Sequence, residues 1–191
     1  LGEEKALLRL WGPEGPTLLE ATVSRLAAVC DEVVVVSDGP HDWPALPARV
    51  AFDRYPGAGV LGALYTGLAE ASFPYILAVA CDMPFLNETL LHHMASLPRD
   101  YDVLIPRLPG QDKARNRLWV EPLHAIYGRP CLSPMRDLLE RGERQIVRFF
   151  PRVRVRTLEA VEWRRFDPAG LSFRNINTPM DVDAAQKMLA P

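Results

Sequence analysis

Residues 76–86 read I-L-A-V-A-C-D-M-P-F-L, an apolar run that ends at the carboxylate of Asp82. Residues 75–80 are too few for a typical helix and carry no polar face, so they predict a strand buried on both sides, as in parallel sheets. Asp82 follows the end of that strand, at the edge where open α/β sheets bind ligands. Asp and Pro are also ordinary turn residues, so a simple turn is an equally good interpretation of this stretch alone.

The rest of the chain alternates between strand and helix patterns. Strands are predicted over residues 33–36, 49–52, 101–105, 123–127 and 153–158, and helices over 17–29, 61–71 and 131–141, with further helices that begin after Asn87 and Thr178. The first helix opens with T-L-L-E at 17–20, a capping-box pattern. The polar, basic and Gly/Pro-containing residues 107–117 predict a mobile loop. This alternation predicts a single α/β domain over residues 1–191, a three-layer α/β/α sandwich around a Rossmann-like, mostly parallel sheet.

Composition limits the classes of partner. The 191 residues are 48% hydrophobic and 24% charged, with a formal net charge of −2, as in ordinary globular proteins. That charge favours neither a nucleic-acid nor a membrane partner, and no apolar run approaches the ~20 residues that cross a bilayer. The three cysteines are odd in number and scattered, which predicts neither a disulfide framework nor a zinc site and favours a cytoplasmic location.

Several residues could carry chemistry at the predicted sheet edge. Lys5 could bind a phosphate as a point charge, although a single lysine is usually a solvated surface residue. Gly59 lies in the glycine-rich stretch 57–62, G-A-G-V-L-G, which leads into a helix and could equally be a tight turn. Asp82 offers a hard oxygen ligand for Mg²⁺ together with substrate phosphates. Asn175 and Asn177 precede the last helix, where the alternative is a turn plus a helix cap.

Other types of site are disfavoured. The chain contains no G-K-[ST] phosphate loop and no G-x-S-x-G nucleophile motif. His124 leads an apolar strand and is predicted to pack or to hydrogen-bond rather than to act as a catalytic base. Cys81 has no histidine nearby in the sequence, which disfavours a thiolate nucleophile.

Taken together, the motifs resemble those of the molybdenum cofactor guanylyltransferases, within the larger group of nucleotidyltransferases. The resemblance is carried by G-E-E-K-A-L-L at 2–8, the strand at 33–37, the glycine-rich turn at 55–62, A-C-D-M-P-F-L at 80–86 and N-I-N-T-P-M-D at 175–181, and it covers nearly the whole chain. It implies a fold of the nucleotide-diphospho-sugar transferase type. It also implies the following roles: phosphate binding by Lys5, Mg²⁺ binding by Asp82, nucleotide contacts at Ser37, Asp53 and Gly59, and contacts near the reacting phosphates and the pterin at Asn175 and Asn177.

The sequence departs from the family pattern at several places. The family opens with a strand and a loop of the form L-A-G-G-x-S-x-R-M-G, of which only the tail is present, with Leu1 in place of Met. We expect the natural protein to contain that strand and loop. Glu4 replaces an Asp, Ser37 an Asn that some members carry, and Val60 a frequent Pro, while Glu121-Pro122 replaces a more usual His-Pro.

The resemblance implies transfer of GMP from GTP to the phosphate of molybdopterin, with release of pyrophosphate and with Mg²⁺ as cofactor. GTP and molybdopterin are then the substrates, and molybdoenzymes or their chaperones are further partners. Two alternatives stay open: a related nucleotidyltransferase that uses CTP or another phosphorylated acceptor, and a non-catalytic nucleotide-binding module. A metal-dependent glycosyltransferase is disfavoured because no D-x-D stands at the end of the Asp82 strand.

Overall fold

The structure is a computed structural model that describes residues 3–112 and 117–189. Its strands are β1 (Val34–Ser37), β2 (Arg49–Phe52), β3 (Tyr75–Val79), β4 (Val103–Asp112), β5 (Arg117–Val120), β6 (His124–Gly128) and β7 (Val155–Leu158). Its helices are α1 (Leu18–Ala27), α2 (Val60–Glu70), α3 (Glu88–Ser96), α4 (Leu132–Glu140), α5 (Ala160–Trp163) and α6 (Pro179–Leu189). Short 3-10 turns occur at Glu3–Leu7, Arg129–Cys131, Ile146–Arg152 and Leu171–Phe173.

Local sequence signals account for several element boundaries. The Thr17 hydroxyl accepts a hydrogen bond from the Glu20 amide (3.1 Å), and the Glu20 carboxylate accepts one from the Thr17 amide (2.7 Å), which together form the predicted capping box of α1. The Asn87 side chain caps α3 by accepting from the Leu90 amide (2.9 Å). Each of these starts is therefore determined by residues within one helical turn.

The strands form two sheets, which confirms the α/β class. β1 pairs in parallel with β2, and a five-stranded sheet has the order β3–β6–β4–β5 with β7 also on β4. Within the larger sheet β4 and β7 are parallel, whereas the β3–β6, β4–β6 and β4–β5 pairs are antiparallel. The sheet directions are therefore mixed among the described strands.

Helices cover both faces of the larger sheet and make the three layers. On one face, helices α2 and α4 pack on Ile105 and Tyr127. On the other face, helix α3 and Trp163 of α5 pack on Leu104 and Ile126. Because neighbouring residues on a strand point to opposite faces, Ile126 and Tyr127 join different layers of the core.

Helix α2 also connects the two sheets. A Cβ atom on Gly67 would lie 3.4 Å from Val36 Cγ2 in β1 and 3.9 Å from Ile76 Cδ1 in β3, so the helix backbone packs against both strands. Among the described strands, β1 pairs only with β2 and β3 pairs only with β6. Residues 75–79 form the predicted strand, but the prediction that it is fully buried on both sides is wrong, because every residue of β3 is only partly buried.

The prediction of a mobile loop over residues 107–117 is also wrong. β4 extends to Asp112, and β5 begins at Arg117, so most of the segment belongs to an antiparallel pair of strands. The ladder is irregular between Arg107 and Gln111, where Gly110 has φ 119°. Strand pairing with this irregularity accommodates the glycine and prolines that suggested a loop. Residues 113–116, which formed part of the same prediction, lie outside the described residues.

The helices of the described chain are short. The longest ones contain 11 residues, which is far below the length needed to cross a bilayer.

Candidate active site

Three side chains from distant parts of the sequence meet at the end of β3. The Lys5 ammonium lies 3.3 Å from Asp82 Oδ2 and donates a 2.7 Å hydrogen bond to Asn177 Oδ1. The Lys5 and Asp82 side chains are 25% and 18% exposed, so the ion pair is largely removed from water but can still be reached from it. We call Lys5, Asp82 and Asn177 the ion-pair cluster.

The loop after β3 holds Asp82 in place through its buried neighbours. Met83 and Leu86 are 1% and 4% exposed and pack with Leu91 in one apolar cluster. The carbonyl of Cys81 accepts a 3.4 Å hydrogen bond from the Thr22 hydroxyl of α1. Since its neighbours are anchored inward, the Asp82 carboxylate is directed to Lys5.

Asn177 is positioned by Ile176 and by the start of α6. Ile176 is fully buried in an apolar cluster with Leu10 and Leu18, and its amide donates to the Asp82 carbonyl (2.9 Å). The Asp181 carboxylate accepts hydrogen bonds from the amides of Asn177 (3.0 Å) and Thr178 (2.7 Å). A main-chain hydrogen bond therefore connects Ile176, the neighbour of Asn177, directly to Asp82.

A buried polar network supports the same two segments. The Asp167 carboxylate, which is 5% exposed, accepts from the amides of Leu171 (3.0 Å) and Ser172 (2.7 Å). The Ser172 hydroxyl accepts from the Asn87 amide (3.0 Å), and Asn87 Nδ2 donates to the Phe166 carbonyl (3.0 Å). The chain that precedes Asn175 is thus tied to the loop that follows Asp82.

The predicted residue Asn175 lies in this segment but outside the ion-pair cluster. Its Oδ1 atom is buried and has no hydrogen-bond partner among the described residues. A buried amide oxygen without a donor carries a desolvation cost, so this oxygen is available to accept a hydrogen bond from a ligand.

Ser37, Asp53 and Gly59 form a second group, which we call the turn cluster. The Asp53 amide donates to the Ser37 carbonyl (2.7 Å) at the ends of the paired strands β1 and β2. Asp53 Oδ1 accepts from the Tyr55 amide (3.0 Å) and from the Thr66 hydroxyl of α2 (2.9 Å). The Ser37 hydroxyl is bonded within its own turn, where it accepts from the Gly39 amide (3.2 Å).

Two glycines allow α2 to start close to this turn. Gly59, with φ 66°, is the N-cap residue and has open space around the position of a Cβ. A Cβ on Gly62 would lie 3.0 Å from the Tyr55 carbonyl oxygen and 3.1 Å from Asp53 Oδ2. The glycine-rich stretch is therefore explained by backbone geometry, and it leaves the first turn of α2 without a side-chain cap.

Glu121 is a site residue that the sequence pattern noted only as a departure from the family. It is partly buried, and its carboxylate accepts from the Leu123 amide (3.1 Å) at the start of β6, the strand that pairs with β3. Burial raises the pKa of the Glu121 carboxyl, and the charge of Asp82 raises it further. The ion-pair cluster thus has a second carboxyl group in its electrostatic surroundings.

His124 and Cys81 are not placed for catalysis. His124 is fully buried, packs edge-on against Phe173 (4.8 Å between ring centroids), and burial lowers its pKa to about 4. The prediction that it packs in the interior is confirmed. Burial raises the pKa of the Cys81 thiol, and the neighbouring Asp82 charge raises it further, so the thiol stays protonated at neutral pH.

The residues present fit a Mg²⁺ ion that is shared with a substrate. No group of three or more His, Cys, Asp or Glu residues is arranged for metal binding in the described parts of the chain. Asp82 nevertheless presents a carboxylate oxygen that already attracts a cation, the Lys5 ammonium. Mg²⁺ is commonly held by one or two carboxylates plus substrate phosphates and water, so Asp82 alone is a sufficient protein ligand of that kind.

The chain is similar to known proteins over most of its length. Residues 1–158 match the model of the MobA-like NTP transferase domain family. A probable molybdenum cofactor guanylyltransferase of Chloroflexus aggregans is 39% identical over 98% of this chain and 88% of its own length.

Solved structures show the same relationship. Molybdopterin-guanine dinucleotide biosynthesis protein A of Archaeoglobus fulgidus superposes with a TM-score of 0.78 at 25% identity, over 98% of this chain and 91% of that one. The 2-C-methyl-D-erythritol 4-phosphate cytidylyltransferase of Thermus thermophilus shares the fold, with a TM-score of 0.70 at 20% identity over 96% and 92% of the two chains. The chain therefore belongs to the molybdenum cofactor guanylyltransferase family of MobA-like NTP transferases.

Proposed function

We propose that this protein transfers GMP from GTP to the phosphate of molybdopterin and releases pyrophosphate. The observation that carries the proposal is the convergence of Lys5, Asp82 and Asn177 at the end of β3, in a chain of this family. A cationic donor, a hard anionic ligand and an amide at one place are the groups that binding and transfer of a phosphate ester require.

The chemistry needs charge neutralisation more than proton transfer. A phosphate oxygen of the acceptor forms a bond to the α-phosphorus of GTP, and the bond from that phosphorus to the β-phosphate oxygen breaks. The electron pair leaves with pyrophosphate. Because a phosphate monoester is already anionic at pH 7, no strong general base is needed, which agrees with the burial of His124.

We assign the chain's residues to the following roles. Lys5 donates hydrogen bonds to the phosphates, and Asn177 holds the Lys5 ammonium in position. Asp82 would hold Mg²⁺, which when bound supplies charge neutralisation of the phosphate oxygens. Ser37, Asp53 and Gly59 are proposed to contact the nucleotide, and Asn175 is proposed to accept a hydrogen bond on the acceptor side through its unpartnered oxygen.

We also propose that residues 1–191 form one domain to which a further strand and a glycine-rich loop belong. Support comes from β1 and β3, each of which leaves one edge without a partner among the described strands while both pack under α2. A strand between them would join the two sheets. Cytoplasmic location and contact with molybdoenzymes or their chaperones stay predictions.

The test is a direct assay of the product. Full-length protein is incubated with Mg²⁺, molybdopterin and either GTP, CTP or ATP, and the dinucleotide is identified by mass spectrometry. We expect the guanine dinucleotide and pyrophosphate, formed much more slowly by the Asp82→Asn variant than by the wild type. Formation of the cytosine product would identify the CTP-dependent alternative, and nucleotide binding without any product would identify a binding module.

A further inference from the structure

We propose that Lys5 acts as a built-in counter-ion for Asp82, so that the site takes the divalent cation as a complex with the nucleotide triphosphate and disfavours the free cation. The inference rests on the proposed function. Its basis is that the Lys5 ammonium lies 3.3 Å from Oδ2 of the Asp82 carboxylate, the group that would bind the metal.

The contacts of Asp82 make Lys5 its principal source of positive charge. Among the described residues, Lys5 is the one group that hydrogen-bonds to the Asp82 carboxylate. With 18% of its side chain exposed, Asp82 is poorly hydrated and depends on this neighbour for charge compensation.

A free divalent cation must compete with the ammonium. Two cations bound to one carboxylate repel each other strongly at a partly buried site. The metal must either share the carboxylate with Lys5, which contacts Oδ2, or displace the ammonium from its anionic partner. Free metal therefore binds more weakly than the carboxylate alone would allow.

The triphosphate removes this conflict. It brings several negative charges, which offer the ammonium new acceptors while the metal takes the Asp82 oxygen. The lysine side chain has a flexible stem and three donors, so it can exchange Asp82 for a phosphate oxygen. Its 2.7 Å hydrogen bond to Asn177 leaves two donors for that exchange and keeps the ammonium at the site.

Metal and nucleotide are consequently coupled. Each should raise the affinity of the protein for the other by the same factor, because coupling between two binding equilibria is reciprocal. Removing the charge of Lys5 should strengthen binding of the free metal, weaken binding of the nucleotide, and reduce the coupling factor.

The experiment uses Mn²⁺ alone as the probe, with free Mn²⁺ measured by electron paramagnetic resonance. Wild-type protein is compared with Lys5→Met, which removes the charge and keeps the length, and with Lys5→Arg, which keeps the charge. Lys187→Met is the matched control, since Lys187 is an exposed lysine in the last turn of α6. Thermal unfolding verifies that each variant is folded, and Lys5→Gln replaces Lys5→Met if that variant is not.

We expect Lys5→Met to bind free Mn²⁺ about tenfold more tightly than wild type and a non-hydrolysable GTP analogue about tenfold more weakly. Lys5→Arg and Lys187→Met should match wild type in Mn²⁺ affinity, and Asp82→Asn added to Lys5→Met should abolish the gain. Unchanged or weaker Mn²⁺ binding by Lys5→Met, or a gain that survives loss of Asp82, overturns the proposal. These binding measurements contain no molybdopterin, so their outcome is independent of whether GMP is transferred to that acceptor.

Discussion

The ion-pair cluster and the turn cluster use their polar side chains in opposite ways. In the ion-pair cluster, side chains separated by 77 and 172 positions bond to one another. In the turn cluster, Ser37 and Asp53 bond to residues two positions away and to Thr66, 13 positions from Asp53. Groups that bond to one another can exchange partners for a ligand, whereas groups that bond to a local turn maintain that turn.

This difference separates effects on activity from effects on stability. Substitutions of Lys5 or Asp82 remove partly exposed charges and should leave the fold intact. Substitutions in the turn cluster leave buried donors without acceptors, such as the Thr66 hydroxyl, whose residue is fully buried. Among the side-chain oxygens of Ser37 and Asp53, Asp53 Oδ2 is the one that has no hydrogen bond to the described residues, so it is the side-chain atom of that cluster best able to contact a nucleotide.

The largest effect is expected at Asp82. Asp82→Asn keeps the size of the side chain and removes the charge that would hold Mg²⁺, so kcat for dinucleotide formation should fall on the order of 10²–10³-fold. The melting temperature should change little, because Met83 and Leu86 still anchor the loop. Steady-state kinetics and calorimetry measure the two quantities.

Asp183→Asn is the matched control, since Asp183 is an exposed carboxylate on α6. It should retain wild-type kinetics. Near-normal turnover of Asp82→Asn with Mg²⁺ would show that Asp82 does not hold the metal. The ion-pair cluster would then differ from the turn cluster in its contacts but not in its importance for activity.

The same comparison shows how far sequence reasoning extends. Boundaries determined within a few residues were predictable: the capping box at Thr17, the cap at Asn87 and the strand Arg49–Phe52 are all confirmed. Lys5, Asp82 and Asn177 were each selected as candidates, but no periodicity encodes a contact across 172 positions. The contact between these side chains depends on the main-chain hydrogen bond from the Ile176 amide to the Asp82 carbonyl.

Two errors have a shared physical origin. Residues 107–117 contain loop-forming residues, but the antiparallel pairing of β4 with β5 overrides that local preference. The apolar run of β3 suggested complete burial, whereas the burial of a strand depends on how many neighbours it has in the sheet. The sequence did not indicate Glu121 as a site residue, because the pairing of β3 with β6 is what brings it near Asp82.

A second prediction concerns His124, which lies opposite Val79, the last residue of β3, in the β3–β6 ladder. Its pKa is about 4 in the folded protein and 6.5 in the unfolded chain. Between pH 6.5 and 4, His124 is protonated in the unfolded chain but stays neutral in the folded protein. The free energy of unfolding therefore decreases as the pH falls from 6.5 to 4. The full loss from this group is about 3 kcal/mol.

Urea unfolding at pH 7.0, 5.5 and 4.5 measures this loss. His124→Phe should flatten the dependence on pH relative to wild type, because the apolar ring keeps the packing on Phe173 and cannot be protonated. His92→Gln changes an exposed histidine and should retain the wild-type dependence. Identical slopes for wild type and His124→Phe would show that His124 does not contribute.

The smallest effect is expected at Asp53, where two substitutions test the turn cluster directly. Asp53→Ala removes the acceptor of the Tyr55 amide and the Thr66 hydroxyl, so it should lower the free energy of unfolding by about 2 kcal/mol. Asp53→Asn keeps an acceptor at Oδ1 and should retain most of that stability. Urea unfolding measures both changes.

Kinetics of Asp53→Asn then separate the two functions of this side chain. If Oδ2 contacts the nucleotide, Asp53→Asn should raise KM for GTP severalfold with kcat nearly unchanged, because the contact is the same in the ground state and the transition state. An unchanged KM in a stable Asp53→Asn protein would limit Asp53 to holding α2 against the turn at Tyr55. Recognition of the base would then rest on backbone groups, since the Ser37 hydroxyl is already bonded within its own turn.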